Sequence, residues 1–176
     1  MSRQGFVQMT VGGLTLDPVT KTPIVVLKDE SDNLNLPIWI GLLEATSMAT
    51  ELEGVKMARP MTHDLLSNLL GEFGAQVESI EVTELRENTF FAVIYVTINV
   101  QTVAMDSRPS DAISLALRTK SPIYVARAVL EASSVLGHEE DDEAGTAAGQ
   151  NLSEMSPEEW QQVLEKLDPD DFKYKM

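Results

Sequence analysis

Two stretches with a period of two leave little freedom in what the middle of this chain can become. Phe90 to Ile98 places Phe91, Val93, Tyr95 and Thr97 on one face, and Gln76 to Glu84 sets Val77, Ile80 and Val82 against Glu78, Glu81 and Glu84. That periodicity belongs to strands covered on one side. Val100 to Met105 follows closely enough to complete a three-stranded meander. A second group of strand signals precedes it. Phe6 to Leu16 reads as a strand broken or bulged at Gly12-Gly13, Thr22 to Leu27 as its hairpin partner, and Leu36 to Ile40 as a short strand with Pro37 at a start or edge. Pro122 to Ala126 is the last strand.

Helices fall between and after these groups. One opens at Gly41 and stops before Gly54. Thr62 reads as the N-cap of a second, on which Leu65, Leu66, Leu69, Leu70 and Phe73 share a face, and Gly74 ends it. Pro109 suits the first turn of a third helix ending near Arg118, and Arg127 to Ser133 forms a short fourth. The expected fold class is α+β: a mixed, largely antiparallel sheet with helices packed on it, plus a separate short C-terminal helix. With 43% hydrophobic residues the main unit, residues 1–135, has material for a core. Residues 136–151 contain charged and small side chains with almost nothing large and apolar, and read as an acidic flexible linker. In 152–176, Ser156-Pro157-Glu158-Glu159 is a helix start, and Trp160, Val163, Leu164 and Leu167 line one face of an amphipathic helix followed by a tail. A helix that short is marginal alone, so it is expected to dock on its own domain or on a neighbouring subunit.

The net charge is -15, and residues 136–176 alone hold 12 Asp or Glu against 3 Lys. Such a chain repels polyphosphate overall, unless a local basic patch or a metal ion reverses the field. There is no cysteine, which excludes disulfides, thiolate zinc and a cysteine nucleophile. The N-terminus has no signal-like apolar core, and no apolar run approaches the ~20 residues of a membrane span, so a cytoplasmic protein with no membrane partner is expected. A phosphate-binding Gly-x-x-x-x-Gly-Lys loop, a His-Glu-x-x-His pair and a Gly-x-Ser-x-Gly elbow are all missing.

Chemistry gathers at two Arg-Pro turns. The first is Arg59-Pro60-Met61-Thr62-His63-Asp64, where His63 suits a base or a metal ligand and Asp64 suits a metal or the positive helix end. The plainer reading has Asp64 capping the helix and His63 on the surface. The second is Asp106-Ser107-Arg108-Pro109-Ser110-Asp111, with two carboxylates, two hydroxyls and a guanidinium within six residues. Carboxylates suit Mg²⁺ or Mn²⁺, and Arg suits a phosphate oxygen. The plainer reading is a capped helix whose Asp–Arg pair holds the turn. Glu44 adds a carboxylate at another helix start.

Several segments occur together in order: Leu36-Pro37-Ile38-Trp39-Ile40-Gly41, Glu44-Ala45, Arg59-Pro60-Met61-Thr62-His63-Asp64-Leu65, Thr89-Phe90-Phe91-Ala92 and Asp106-Ser107-Arg108-Pro109-Ser110-Asp111-Ala112-Ile113. Over residues 6–135 the series resembles the bifunctional nuclease domain. The resemblance implies a compact α+β domain, nuclease activity on DNA and RNA, and a homo-oligomer. It carries over as motif residues Glu44, Arg59, His63, Asp64, Asp106, Ser107, Arg108, Ser110 and Asp111.

Chemistry then suggests roles within a metal-dependent phosphodiesterase. His63, Asp64, Arg59, Arg108 and Asp111 are the candidate catalytic residues, and Asp106, Asp111, Asp64 and Glu44 the candidate ligands for Mg²⁺ or Mn²⁺. Ser107 and Ser110 complete the motif. The alternative is a non-enzymatic regulatory or binding module whose Arg and Asp turns are structural or hold a small anion.

Overall fold

The computed structural model describes residues 4–31 and 33–140, with side chains to 134. Seven strands and four helices follow in the order β1 (Phe6–Leu16), β2 (Pro23–Asp29), β3 (Asn35–Trp39), α1 (Leu42–Leu52), α2 (Thr62–Glu72), β4 (Ala75–Arg86), β5 (Thr89–Ile98), β6 (Gln101–Ser107), α3 (Pro109–Thr119), β7 (Ile123–Ala126) and α4 (Arg127–Glu140). All strands share one sheet in the order β3-β2-β1-β7-β4-β5-β6. Each of the expected strand groups is an antiparallel meander. The short β7 joins them, running antiparallel to β1 and parallel to β4. The α+β reading with a largely antiparallel sheet holds.

Local chemistry accounts for the turns. Glu87 and Asn88 both take positive φ between β4 and β5, as a two-residue hairpin loop requires. Gly54 and Gly74 stand at φ +64° just past α1 and α2, where a left-handed residue ends a helix at least cost. The bulge expected in the first strand lies between Val11 and Gly13. A second one, between Val77 and Ser79 of β4, explains why Val77 and Ile80 are both buried although their spacing breaks a strict alternation.

The core lies between the sheet and the helices. Val25, Leu27, Ile80 and Val82 meet Ala45 and Met48 of α1 and Ile113 and Leu115 of α3 there. On β5, Ala92, Ile94 and Val96 point inward, so Val93 and Tyr95 belong to the opposite face.

Two sequence expectations need correction, and one shared helix face acquires a direction. The N-cap of α2 is Met61, not Thr62, and the Asp64 carboxylate accepts the Met61 N–H at 2.8 Å. Capping is therefore done from inside the first turn. The leucine stripe of α2 does not face the core: Leu65, Leu66, Leu69 and Phe73 are exposed, while His63 is the buried residue of that helix and Leu70 packs at the core margin. Periodicity identified a shared face but not its direction, and polar anchors at the N-terminus turned it outward. Finally, α4 continues to Glu140, past the linker start expected at 136. The remainder of that linker and the C-terminal helix lie outside the described residues. Among the described residues, no helix is long and apolar enough to cross a membrane.

Ile80 is fully buried at the centre of the sheet, whereas Val19 stands in the open first turn. Ile80→Ala is expected to cost about 2–5 kcal/mol and Val19→Ala less than about 0.5 kcal/mol, read from urea unfolding midpoints. Equal costs would contradict this placement of the core.

Candidate functional site

The first turns of three helices meet on one side of the sheet, and each carries an acid: Glu44 in α1, Asp64 in α2 and Asp111 in α3. Carboxylates at these positions are stabilised by the partial positive charge of unsatisfied N–H groups. Pro109 at the start of α3 fixes the backbone so that Arg108, the N-cap, and Asp111 lie close together.

Arg108 is the hub of the outer half. Its Nε donates to Asp111 Oδ2 at 2.8 Å, and its Nη2 donates to Asp111 Oδ1 at 3.1 Å. Nη2 also lies 2.9 Å from Glu44 Oε1, so one guanidinium links α1 to α3. Its side chain nevertheless remains 55% exposed. Gly41 contributes by having no side chain, since a Cβ there would collide with the Glu44 carboxylate.

His63 occupies the inner half. Its Nε2 is 3.2 Å from Asp111 Oδ1 and its Nδ1 is 2.9 Å from Ser47 Oγ. With neutral imidazole, the self-consistent assignment has Nε2–H donating to the carboxylate and the Ser47 hydroxyl donating to Nδ1. The result is a buried Ser47–His63–Asp111 chain joining α1, α2 and α3, in which both ring nitrogens are engaged.

A second guanidinium lies beneath. Arg118 has only 5% of its side chain exposed and forms an ion pair with Asp64. It also donates to the carbonyls of Ser114 at 3.0 Å and Ser47 at 3.1 Å. Arg118 and Ser47 escaped the sequence reading. Arg118 has the look of an ordinary basic residue in a last helical turn, and Ser47 carries no local signature at all.

Electrostatics follow from these contacts. Burial works to raise the Asp111 carboxyl, but hydrogen bonds from Arg108 and His63, with their charges, outweigh it and hold the group below the ordinary carboxylate range. Asp64 is depressed for the same reason: burial is opposed by Arg118, the Met61 N–H and the charge of His63. Asp111, and after it Glu44, raises the already high pKa of Arg108.

The other motif residues are placed differently. Asp106 pairs with Val93 in β6, so it projects from the face of the sheet opposite the buried Ala92 and Ile94, away from Asp111. Arg59 is exposed in the loop before α2. The Ser107 hydroxyl donates to the Arg108 carbonyl at 3.0 Å, and Ser110 is buried in the first turn of α3. The structure thus gathers Glu44, His63, Asp64, Arg108 and Asp111 and leaves Asp106 apart. Among the described residues, no three His, Asp or Glu side chains form a group able to hold a metal ion. The oxygens of Glu44 and Asp111 suit a hard divalent cation chemically, but both face the Arg108 guanidinium, so they do not form a ready metal site.

Asp64→Ala would leave a buried guanidinium without its carboxylate and is expected to cost about 2–4 kcal/mol, whereas Glu44→Ala, whose guanidinium partner stays open to water and keeps Asp111, is expected to cost about 1 kcal/mol. Urea unfolding checks both. Because the Asp64 and Asp111 pKa values are depressed on folding, their contribution is present above the unfolded-state value near ~4 and is lost as pH falls through the folded values. Urea midpoints measured from neutral to acid pH are expected to drop in that acid window, and by less in an Asp64→Asn, Asp111→Asn double variant. A double variant that drops as much as the parent would remove these two groups as the cause.

Comparison with known proteins sets this geometry in context. The family model for the bifunctional nuclease domain matches residues 25–137. An uncharacterized protein of Mycobacterium tuberculosis is 36% identical over 166 residues, which span 94% of this chain and 98% of that protein. Bifunctional nuclease 1 of Arabidopsis thaliana is 30% identical over 107 residues, 58% of this chain but 33% of the plant protein. Bifunctional nuclease 2 of the same plant is 28% identical over 117 residues, 65% of this chain and 36% of its own length. The matched segment contains α1, α2, α3 and every residue of the cluster. By the family model, which matches more than half of it, the chain belongs to the bifunctional nuclease domain family.

Proposed function

We propose that this protein hydrolyses phosphodiester bonds in DNA and RNA at the Glu44–Arg108–Asp111–His63 cluster. The observation that carries the reading is the exposure of Arg108: a guanidinium held by two carboxylates still presents more than half of its side chain to solvent. A planar guanidinium fixed in this way can meet a phosphate oxygen on its solvent side and counter the charge that builds as the phosphorus is attacked. Asp111, beside it, orients the attacking water, takes its proton as the new P–O bond forms, and returns that proton to the departing sugar oxygen as the old P–O bond breaks. His63 donates its Nε2–H to the Asp111 carboxylate and holds it in position, with the Ser47 hydroxyl fixing the ring. Arg59, exposed at the other Arg-Pro turn, is assigned to a neighbouring phosphate of the strand. Membership of a family that includes plant proteins named bifunctional nucleases supports the substrate class.

One observation favours a second reading. Both nitrogens of His63 and both carboxylates around Arg108 already have partners, as in an ion-pair network that serves only to join helices. In that reading the protein is a binding module, and the exposed side of Arg108 takes a small anion. Cleavage of DNA and RNA by the parent and by identically purified variants separates the two. For the nuclease, Arg108→Ala is expected to lower kcat/KM roughly 100-fold with little change in melting temperature, and His63→Ala combined with Asp111→Ala to abolish turnover. Undiminished cleavage by the variants would identify a contaminant and overturn the proposal.

A requirement for Mg²⁺ or Mn²⁺ is a separate proposal, since an ion binding here must displace the guanidinium from Glu44 and Asp111. Loss of cleavage in EDTA and its recovery with either ion would support the requirement. Full activity in EDTA would eliminate it and leave the side-chain chemistry above.

A further inference from the structure

We infer that the outward face of α2 is the seat of this chain's own C-terminal amphipathic segment, residues 157–167. The inference does not depend on the nuclease reading. On α2, Leu65 is 54% exposed, Leu66 40%, Leu69 46% and Phe73 75%. Four large apolar side chains on one side of one helix form a patch that a soluble domain ordinarily covers. The polar end of the same helix is fully engaged with α1 and α3, so α2 cannot roll to bury the patch without breaking the Asp64–Arg118 pair and the His63 contacts.

The occupant is legible in the remaining sequence. Trp160, Val163, Leu164 and Leu167 recur at positions i, i+3, i+4 and i+7, the spacing of an apolar stripe on a helix. A stripe of that kind packs on another helix, ridge into groove. The edges of the sheet at β3 and β6 are competing surfaces, but an edge strand takes a strand, and the Pro157 start with apolar residues at helical spacing suits no strand.

The tether is long enough. The 16 residues 141–156 lie between the end of α4 and Pro157. Fully extended they reach roughly 50 Å. A random coil of that length spans about 22 Å on average. A domain of this size has a radius of gyration of about 14 Å, hence a diameter under roughly 40 Å, so α2 is within reach of the same chain wherever α4 ends. The tether's acidic residues need not be buried, because they only have to cross solvent. Intrachain docking is also favoured by concentration, since a linker of this length supplies a millimolar-scale local concentration of the segment.

Trp160 reports on the docking. The full-length protein with Trp39→Phe keeps it as the single tryptophan. Its emission is expected to be blue-shifted and several-fold less accessible to acrylamide than that of a free peptide of residues 152–176. Leu69→Asp or Phe73→Asp is expected to remove both effects while leaving far-UV circular dichroism of the core unchanged. In the opposite direction, Trp160→Ala in the full chain is expected to speed hydrogen exchange at α2 amides, a readout that does not require altering α2. Free-peptide-like emission in the parent, insensitivity to the α2 substitutions, or unchanged exchange in Trp160→Ala would each overturn the assignment. A shift that appears only as protein concentration rises would place the segment on a second copy and overturn the intrachain form.

Discussion

The Arg118 guanidinium is the tie on which the candidate site depends. It reaches from the last turn of α3 to the Asp64 carboxylate at the start of α2 and to the Ser47 carbonyl of α1, almost entirely out of water. A buried guanidinium left without partners would be very costly, so each of its donors constrains the element that satisfies it. Because α2 is pinned at this point, His63 is directed into the crevice between α1 and α3, where Ser47 and Asp111 close on its two nitrogens. The same pinning turns the leucine stripe of α2 outward. One interaction therefore determines both the arrangement of the cluster and the exposure of an apolar face behind it.

The cluster also has to solve a charge problem. Three carboxylates face two guanidinium groups and one imidazole, so the group is neutral when His63 is protonated and carries one negative charge when it is not. The convergence of helix N-termini offsets part of that negative charge locally. On the proposed nuclease reading this matters in a chain of net charge -15, because long-range attraction of a polyanion is absent and recognition would have to come from short-range contacts. A phosphate approaching Arg108 competes with Glu44 and Asp111 for the same donors. Affinity is thus traded against the internal ion pairs rather than added to them, and weak ground-state binding is compatible with stronger binding of a more highly charged transition state.

How much of this was legible in the sequence follows from the range of each interaction. The Arg108–Asp111 pair and the capping by Asp64 span three residues, and both were readable at their Arg-Pro turns because cap chemistry is local. Glu44 was readable as a first-turn acid, although its partner 64 positions later was not. Ser47 and Arg118 were invisible, since their roles arise from contacts 16 to 71 residues away in the chain. Asp106 was grouped with Asp111 because they are neighbours in sequence. The register of β5 with β6 sends it to the other face of the sheet, and period-two geometry permits no compromise. For α2, spacing identified the stripe, but its direction depended on His63 and Asp64.

The two arginines of α3 offer the sharpest internal comparison. Both pair with a first-turn aspartate, and both reach across to α1, yet one side chain is 5% exposed and the other 55%. Arg118 has its donors committed to a carboxylate and to carbonyls within the fold, as expected of a group whose task is to hold helices together. Arg108 performs a similar linking role between Glu44 and Asp111 from a position that water can reach. With its guanidinium open to water, Arg108 is screened by solvent as Arg118 is not, and holding a long side chain still costs conformational entropy. The stability of the fold therefore accounts for only part of the investment of two carboxylates, a helix-starting proline and a side-chain-free Gly41 in orienting Arg108. Those features are accounted for if the guanidinium must already be aimed when an anion arrives.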